Sequence, residues 1–297
     1  VRVAVTGSTG LIGRNLVDSL QRDGHTVHRL VRDRAQATGG DVYWSVTDAY
    51  LDATALEGVD AVVHLAGQPF GRRWTEAEKA RILDSRVKGT HLLAQGLASL
   101  DDPPAVLVSQ SGANYYGHRG DDLLDEAEPP GSGFLADVCV QWEDAAEPAR
   151  DAGIRVVHPR TGVVMAEEGP LIDKVEVPFK LGVGGRVGSG RQWVPWISLE
   201  DEVRAMRFVM DRDSLSGAVN FVAPEPVRNA ELTKALGEVW HRPTLLPVPV
   251  FALRVLYGEM GVTLATESVR AIPAKLRDAG FEWRLPGLRQ ALQAALG

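Results

Sequence analysis

A single cysteine, Cys139, stands among 297 residues, so no disulfide can close within the chain. That scarcity fits a reducing compartment, and no charged start leads into an apolar stretch, so the expected location is cytoplasmic. Basic residues are outnumbered, 32 Lys and Arg against 39 Asp and Glu, which leaves a net charge of -7. Proteins that neutralise nucleic-acid phosphates need a basic face, so neither DNA nor RNA is expected as a partner. No apolar run approaches the roughly 18 residues of a membrane span, and no membrane association is expected. The seven His are scattered, without paired His or Cys spacing, so no metal site is expected.

What remains is ordinary globular usage, 44% hydrophobic and 24% charged, in a chain long enough for roughly two domain-sized units. Apolar periodicity predicts strands at 1–6, 26–31, 41–46, 60–65, 105–109 and 154–158. Between them it predicts helices from Leu11 to about Gly24, over 74–97 with Thr75 as cap, and over 134–152. The acidic, then Pro/Gly-rich stretch 121–133 reads as loop. Strands alternating with helices imply a parallel sheet covered on both faces, an α/β, Rossmann-type doubly wound fold. After Thr161 the rhythm changes to a Gly-rich stretch at 182–190, a strand near 219–222 and mostly helical patterns. The expected division is residues 1–165 as the dinucleotide-binding unit, completed by about 196–222, and 166–297 as a smaller, mostly helical C-terminal lobe for substrate.

Between the first strand and its helix lie Gly7, Ser8, Thr9, Gly10, Leu11, Ile12 and Gly13, with glycines spaced G-x-x-G-x-x-G. A tight turn, close approach of backbone to a pyrophosphate and a free helix N-terminus all need such residues there. In NAD-preferring proteins the second strand ends in an acid that accepts from the ribose hydroxyls; here it ends at Arg32, whose fork suits the extra phosphate of NADP. NADP(H) is therefore the expected cofactor. Leu65, Ala66 and Gly67, small residues after the fourth strand, let the adenosine half approach the backbone.

The opening Thr6 to Gly13 resembles that of extended short-chain dehydrogenase/reductases, as does Gly188-Ser189-Gly190-Arg191-Gln192 through Trp196, Ile197 and Asp201. More closely, Arg73-Trp74, Ser85-Arg86, Tyr115-Tyr116-Gly117, Arg160-Thr161-Gly162-Val163-Val164, Pro178 to Gly182 and Gly280-Phe281 are similar to the epimerase-like, SulA-type family of nucleoside-diphosphate-sugar epimerase appearance. The resemblance implies a Rossmann domain with NADP bound, and sets Arg86 and the turn at Val164 near the cofactor. It also implies a Tyr-x-x-x-Lys pair, but Leu135 and Cys139 stand where Tyr and Lys belong, and Val194 replaces the arginine that grips a sugar-nucleotide diphosphate. The remaining catalytic candidates are Ser111, at the serine position, and Tyr115 or Tyr116 as a phenol. Asp137 is a lesser candidate base, and Cys139, without a cationic neighbour in sequence, reads as core. Arg73, Trp74, Arg191, Gln192 and Trp193, with Trp196, are candidate walls for a small-molecule substrate. The expectation is an NADP(H)-dependent oxidoreductase or epimerase-like protein, monomeric or homodimeric, with a non-turning-over NADP(H) sensor as the alternative.

Overall fold

The computed structural model describes residues 1–33 and 37–297. Its strands are, in order, β1 (Arg2–Thr6), β2 (Thr26–Val31), β3 (Val42–Ser45), β4 (Tyr50–Leu51), β5 (Ala61–His64), β6 (Val106–Ser109), β7 (Ser111–Gly112) and β8 (Leu123–Leu124). There follow β9 (Arg155–Thr161), β10 (Val163–Met165), β11 (Trp193–Val194), β12 (Trp196–Ser198), β13 (Gly217–Phe221), β14 (Val227–Arg228) and β15 (Arg270–Ala271). The helices are α1 (Leu11–Arg22), α2 (Glu76–Ala98), α3 (Phe134–Asp144), α4 (Glu147–Asp151) and α5 (Pro170–Lys180), then α6 (Leu199–Met210), α7 (Asn229–Val239), α8 (Val250–Thr266), α9 (Ala274–Asp278) and α10 (Leu288–Leu296).

The main sheet runs β13-β9-β6-β5-β1-β2-β3-β4, with β7 beside β9. Its pairings are parallel apart from β3 with β4. The runs Val3-Ala4-Val5, Ala61-Val62-Val63 and Val106-Leu107-Val108 are buried throughout, as strands covered on both faces must be. On one face Val3, Val5, Leu16, Leu20, Val63, Val108, Met206 and Phe221 form a core under α1 and α6. On the other, Ala4, Val62, Leu93, Leu97, Leu107 and Ala149 pack under α2 and α4. The chain runs outward through β1, β2 and β3, then returns to lay β5 on the opposite side of β1. That reversal opens a crevice at the carboxyl ends of β1 and β5, where sheets of this kind take their ligands.

Three sequence expectations shift. The helix read over 134–152 is two, α3 and α4, because Pro148 inside a continuous helix would clash with the carbonyl of Asp144; it sits instead in the first turn of α4. The stretch 121–133 contains β8, which pairs with β15 and ties the loop to the C-terminal part. Helix α2 is capped as expected by Thr75, whose side chain accepts from the Glu78 amide, but its buried face carries Glu78, Arg86 and Thr90 as well as Ile82 and Leu93. Leu83, Val87 and Leu92 are only half-buried. A helix bordering the crevice turns part of its polar surface inward. No helix among the described residues is long and apolar enough to cross a membrane.

Candidate functional site

The crevice is built on backbone packed against backbone. A Cβ on Gly13 would lie 2.2 Å from the Gly7 carbonyl oxygen, and one on Gly7, whose φ is +65°, would lie 2.8 Å from the carbonyl carbon of Leu65. The glycines thus let the β1–α1 turn nest between the head of α1 and the end of β5. Among the described residues no side chain caps α1, and no acid occupies its first turn. Its first amides, at Leu11, Ile12 and Gly13, therefore face outward with the positive end of the helix dipole behind them. Arg14 pairs with Glu168, which brings the turn after β10, and with it the buried Val164, to the same place. Ser8 is buried in the turn, and Thr9 and Gly10 are exposed on it.

Beneath the turn, Thr6 Oγ1 accepts from the amides of Leu65 and Ala66 at 3.0 and 3.1 Å. Its one proton is therefore free for His64 Nδ1 at 2.7 Å. That leaves His64 to donate from Nε2 to Thr90 Oγ1 at 3.1 Å, which also accepts from Trp142 Nε1 at 2.9 Å. Full burial pushes the His64 pKa down to about 4, so the ring is neutral, as the donor count requires. This chain of hydrogen bonds ties β1, β5, α2 and α3 together directly under Leu65 and Ala66.

The Ser85-Arg86 pair clamps the next stretch from both sides. Ser85 Oγ accepts from the Gln68 amide at 3.0 Å, and Arg86 Nη1 donates to the Gln68 carbonyl at 2.8 Å. A Cβ on Gly67 would meet the Arg86 guanidinium at 3.3 Å. Arg86 is buried, lies 4.8 Å from the Trp142 ring and pairs with no carboxylate among the described residues; burial pulls its pKa down to about 10. Arg32 lies exposed just after β2. Arg29, earlier on that strand, takes Asp41, whereas no carboxylate among the described residues pairs with Arg32.

At the carboxyl ends of β6 and β9 the structure gathers Ser111, Tyr115 and Tyr116 into one cluster. Ser111 Oγ donates to Glu143 Oε1 at 2.7 Å. Glu143 also takes a two-pronged contact from Arg160, 2.9 Å at each oxygen. Burial works against the Arg160 charge, but the Glu143 carboxylate outweighs it and holds the guanidinium above its ordinary value. Arg160 lies 3.3 Å from the centre of the Tyr115 ring and donates to Tyr116 Oη at 3.1 Å. The Tyr116 hydroxyl has Asn220 Oδ1 at 2.8 Å and the Asp125 carbonyl at 2.9 Å as acceptors, and burial pushes its pKa up to about 12. Tyr115 is half-buried. Leu135 and Cys139 are buried on the same face of α3 as Glu143, with the Cys139 thiol pushed up to about 12 by burial, while Asp137 faces solvent.

Next to this cluster, Gln110 Nε2 donates to Thr161 Oγ1 at 2.7 Å and Thr161 donates to Glu202 Oε1 at 2.9 Å. Burial lifts the Glu202 pKa to about 8. Ser109 Oγ, Gln110 Oε1 and Glu202 Oε2 are buried without a hydrogen-bond partner among the described residues. Of these groups the sequence reading touched only Thr161, as part of a motif. Glu143 had one legible signal, falling four and eight residues after Cys139 and Leu135, on one helical face.

The candidate substrate residues do not converge. Trp74 is core: it donates from Nε1 to the Phe70 carbonyl and meets Phe134 edge-on at 5.0 Å. Trp196 is likewise buried, with Nε1 on the Glu225 carbonyl. Arg73 is exposed, its stem against Gly258 of α8. Arg191 and Gln192 instead border a separate cavity of about 370 Å³, with His118, Asp121, Arg228 and Ser268. Trp193 is held beside it between Arg228 and Arg270, at 4.2 and 4.5 Å, with Nε1 on Asp121.

Comparison with known proteins agrees with this architecture. The profile of the NAD dependent epimerase/dehydratase family matches residues 3–221, and that of a domain of unknown function, DUF1731, matches 248–295. Epimerase family protein Mb2239 of Mycobacterium bovis is 43% identical over 291 residues, covering 98% of this chain and 96% of its own. The chloroplastic SDR39U1 homolog of Arabidopsis thaliana is 36% identical, over 99% of this chain and 86% of its own. The crystal structure of human epimerase family protein SDR39U1 with NADPH superposes with a TM-score of 0.90 at 30% identity, covering 100% of this chain and 99% of that one. A Thermus thermophilus UDP-glucose 4-epimerase in complex with NAD shares the fold, at a TM-score of 0.76 and 18% identity. The glycine-lined crevice at the β1–β5 reversal is thus that of a Rossmann fold, and the chain belongs to the NAD dependent epimerase/dehydratase family, within its SDR39U1-type branch.

Proposed function

We propose that this protein binds NADP(H) in the β1–β5 crevice and acts as an oxidoreductase or epimerase-like enzyme on a small carbonyl or hydroxyl compound. The observation that carries the reading is the pairing of an uncapped α1 N-terminus with two guanidinium groups, Arg32 and Arg86, that no carboxylate among the described residues neutralises. A buried cation held only by carbonyls and ring faces is costly unless an anion joins it. The dinucleotide supplies that charge, and human SDR39U1, similar along the whole chain, was crystallised with NADPH. Leu65, Ala66 and Gly67 would border its adenosine half, Arg32 its 2′-phosphate, and Val164 and the unpartnered Gln110 Oε1 its nicotinamide end.

The bound cofactor contributes a hydride donor or acceptor. What the chain adds is a hydroxyl pair at the end of β6. Tyr115 is the better placed phenol for passing a proton to a substrate oxygen, because the Tyr116 hydroxyl is taken by Asn220 and Asp125. Ser111, its proton directed to Glu143, offers lone pairs and so accepts from a substrate hydroxyl. The cavity at Arg191 and Gln192 would receive a distal polar part of the substrate.

Calorimetry of the protein with NADPH and NADH tests the cofactor. Arg32→Ala should weaken NADPH binding about 10- to 100-fold, the worth of a charge-assisted fork, and leave NADH unchanged. Equal loss for both dinucleotides overturns the assignment. A second reading, an NADP(H) sensor with little turnover, is favoured by Leu135 and Cys139 at the Tyr and Lys positions, since neither passes a proton at neutral pH. NADPH absorbance across a panel of carbonyl compounds separates the two: binding with no oxidation of NADPH by any compound selects the sensor.

A further inference from the structure

Arg86 is only 7% exposed, yet its guanidinium meets carbonyls and ring faces alone: the Gln68 carbonyl at 2.8 Å, the Ile82 carbonyl at 3.2 Å, the Trp142 ring at 4.8 Å and the Phe70 ring at 5.7 Å. Both hydrogen bonds come from Nη1, so Nε and Nη2 keep their protons without an acceptor among the described residues. Even with its pKa pulled down to about 10 by burial, the group stays charged at neutral pH. Carboxylates nearby do not offset it, since Glu143 is gripped by Arg160 and Glu78 pairs with Arg81. A cation left this way raises the question of which part of a ligand it meets.

Its neighbours answer that. On one side is the end of β5, where a Cβ on Gly67 would stand 3.3 Å from the guanidinium. On the other is Cys139 of α3, close enough for the Arg86 charge to oppose the burial that lifts its thiol. Cys139 Sγ in turn reaches the Gly112 carbonyl at 3.7 Å, next to Ser111. Arg86 therefore stands between the end of β5 and the Ser111 cluster after β6. In the sheet order β6-β5-β1-β2, Arg32 lies on the other side of β1, just after β2. The two cations thus flank the crevice from opposite ends, and the end opposite Arg32 is the nicotinamide end.

The two redox forms of the dinucleotide carry the same phosphates and differ by one positive charge on the nicotinamide ring. Attraction between Arg86 and the phosphates therefore cancels when the forms are compared, and repulsion of the oxidised ring is what remains. We propose that Arg86 borders the nicotinamide half of the dinucleotide and makes the site hold NADPH in preference to NADP⁺, an inference that rests on the NADP(H) assignment of the crevice. At an effective dielectric of about 20, two unit positive charges within about 12 Å of each other repel enough to shift the ratio of affinities about tenfold.

Titration calorimetry of wild type, Arg86→Lys and Arg86→Met with NADPH, NADP⁺ and adenosine 2′,5′-bisphosphate tests it, with a thermal melt of each protein. Wild type should bind NADPH at least about tenfold more tightly than NADP⁺. Arg86→Lys, which keeps the charge, should keep that preference, whereas Arg86→Met should bring the two affinities within about threefold of each other. Adenosine 2′,5′-bisphosphate, which represents the adenosine half alone, should bind all three proteins alike. Equal affinity of wild type for NADPH and NADP⁺, a preference that survives in Arg86→Met, or loss of bisphosphate binding by a folded Arg86→Met protein would each overturn the inference, and the first of these needs no variant. Binding of neither dinucleotide by wild type would remove the NADP(H) assignment itself, and this inference with it.

Discussion

Replacing Gly13 by alanine isolates the physical claim on which cofactor binding rests. The added Cβ would stand 2.2 Å from the Gly7 carbonyl oxygen and 2.9 Å from Ser8 Cα, where ordinary contact begins near 3.4 Å. Something must move by about 1 Å, and neither neighbour is a flexible side-chain end. Helix α1 cannot retreat without uncovering Leu16 and Leu20, both fully buried in the core, so the turn carrying Gly7 and Ser8 yields instead. A turn displaced by that amount no longer holds a phosphate within hydrogen-bond range of the α1 amides. Two lost contacts to a charged group, at about 1.5–3 kcal/mol each, predict at least a 100-fold weaker dissociation constant for NADPH. Titration calorimetry reads the affinity and a thermal melt reads the fold. Gly39→Ala is the matched control, since a Cβ there meets nothing within 4 Å. A folded Gly13→Ala protein that binds NADPH within about threefold of wild type would refute the reasoning.

Two further substitutions probe the buried polar groups. Thr6→Val keeps the shape but strips the Leu65 and Ala66 amides and His64 Nδ1 of their shared partner; denaturant unfolding should show a loss on the order of 2–4 kcal/mol, and an unchanged midpoint would dissolve the network argument. Glu202→Gln tests linkage: its folded pKa of about 8 stands above the ordinary carboxylate value, so its neutral form favours folding below about pH 4.5 and that contribution is lost as pH climbs through 8. Wild type should therefore lose stability relative to the glutamine variant between pH 5 and 9, by a few kcal/mol at order of magnitude, whereas parallel unfolding curves across that range would count against a buried neutral carboxyl.

The glycine turn, the strand and helix alternation and the end of β2 just before Arg32 were legible because each is a local pattern: spacing along a few residues, or a strand end a fixed distance downstream. The polar groups around the crevice were not. His64 closes an apolar strand, and only its meeting with Thr6, 58 residues away, shows what it does. Arg160 was visible as part of a motif, but its carboxylate partner Glu143 and the Tyr116–Asn220 contact, 104 residues apart, arise from strand order and not from spacing. Trp74 shows the opposite failure: an arginine beside a tryptophan suggested a ligand wall, and packing against Phe134 absorbed the ring instead.

The charges beside Ser111 sit on α3 and on the sheet. Leu135 and Cys139 fill one face of α3 with buried side chains, and the acid on that face lies one turn beyond Cys139, at Glu143. The neighbouring cation stands on the sheet, at Arg160, over the Tyr115 ring. A lysine beside a catalytic tyrosine is a free positive charge, but Arg160 has a carboxylate gripping it at two points, so the pair is nearly neutral at a distance. The pair fixes the rings of Tyr115 and Tyr116 in place, and at this range the Arg160 charge and hydrogen bond work against burial to favour the Tyr116 phenolate. Burial still wins at Tyr116, whose pKa stands at about 12, so on the proposed function a phenol of this cluster would deliver a proton to a carbonyl more readily than remove one from an alcohol. Under the function proposed above, NADPH would supply the hydride for that direction, with Arg32 placed to take its 2′-phosphate at the far end of the crevice.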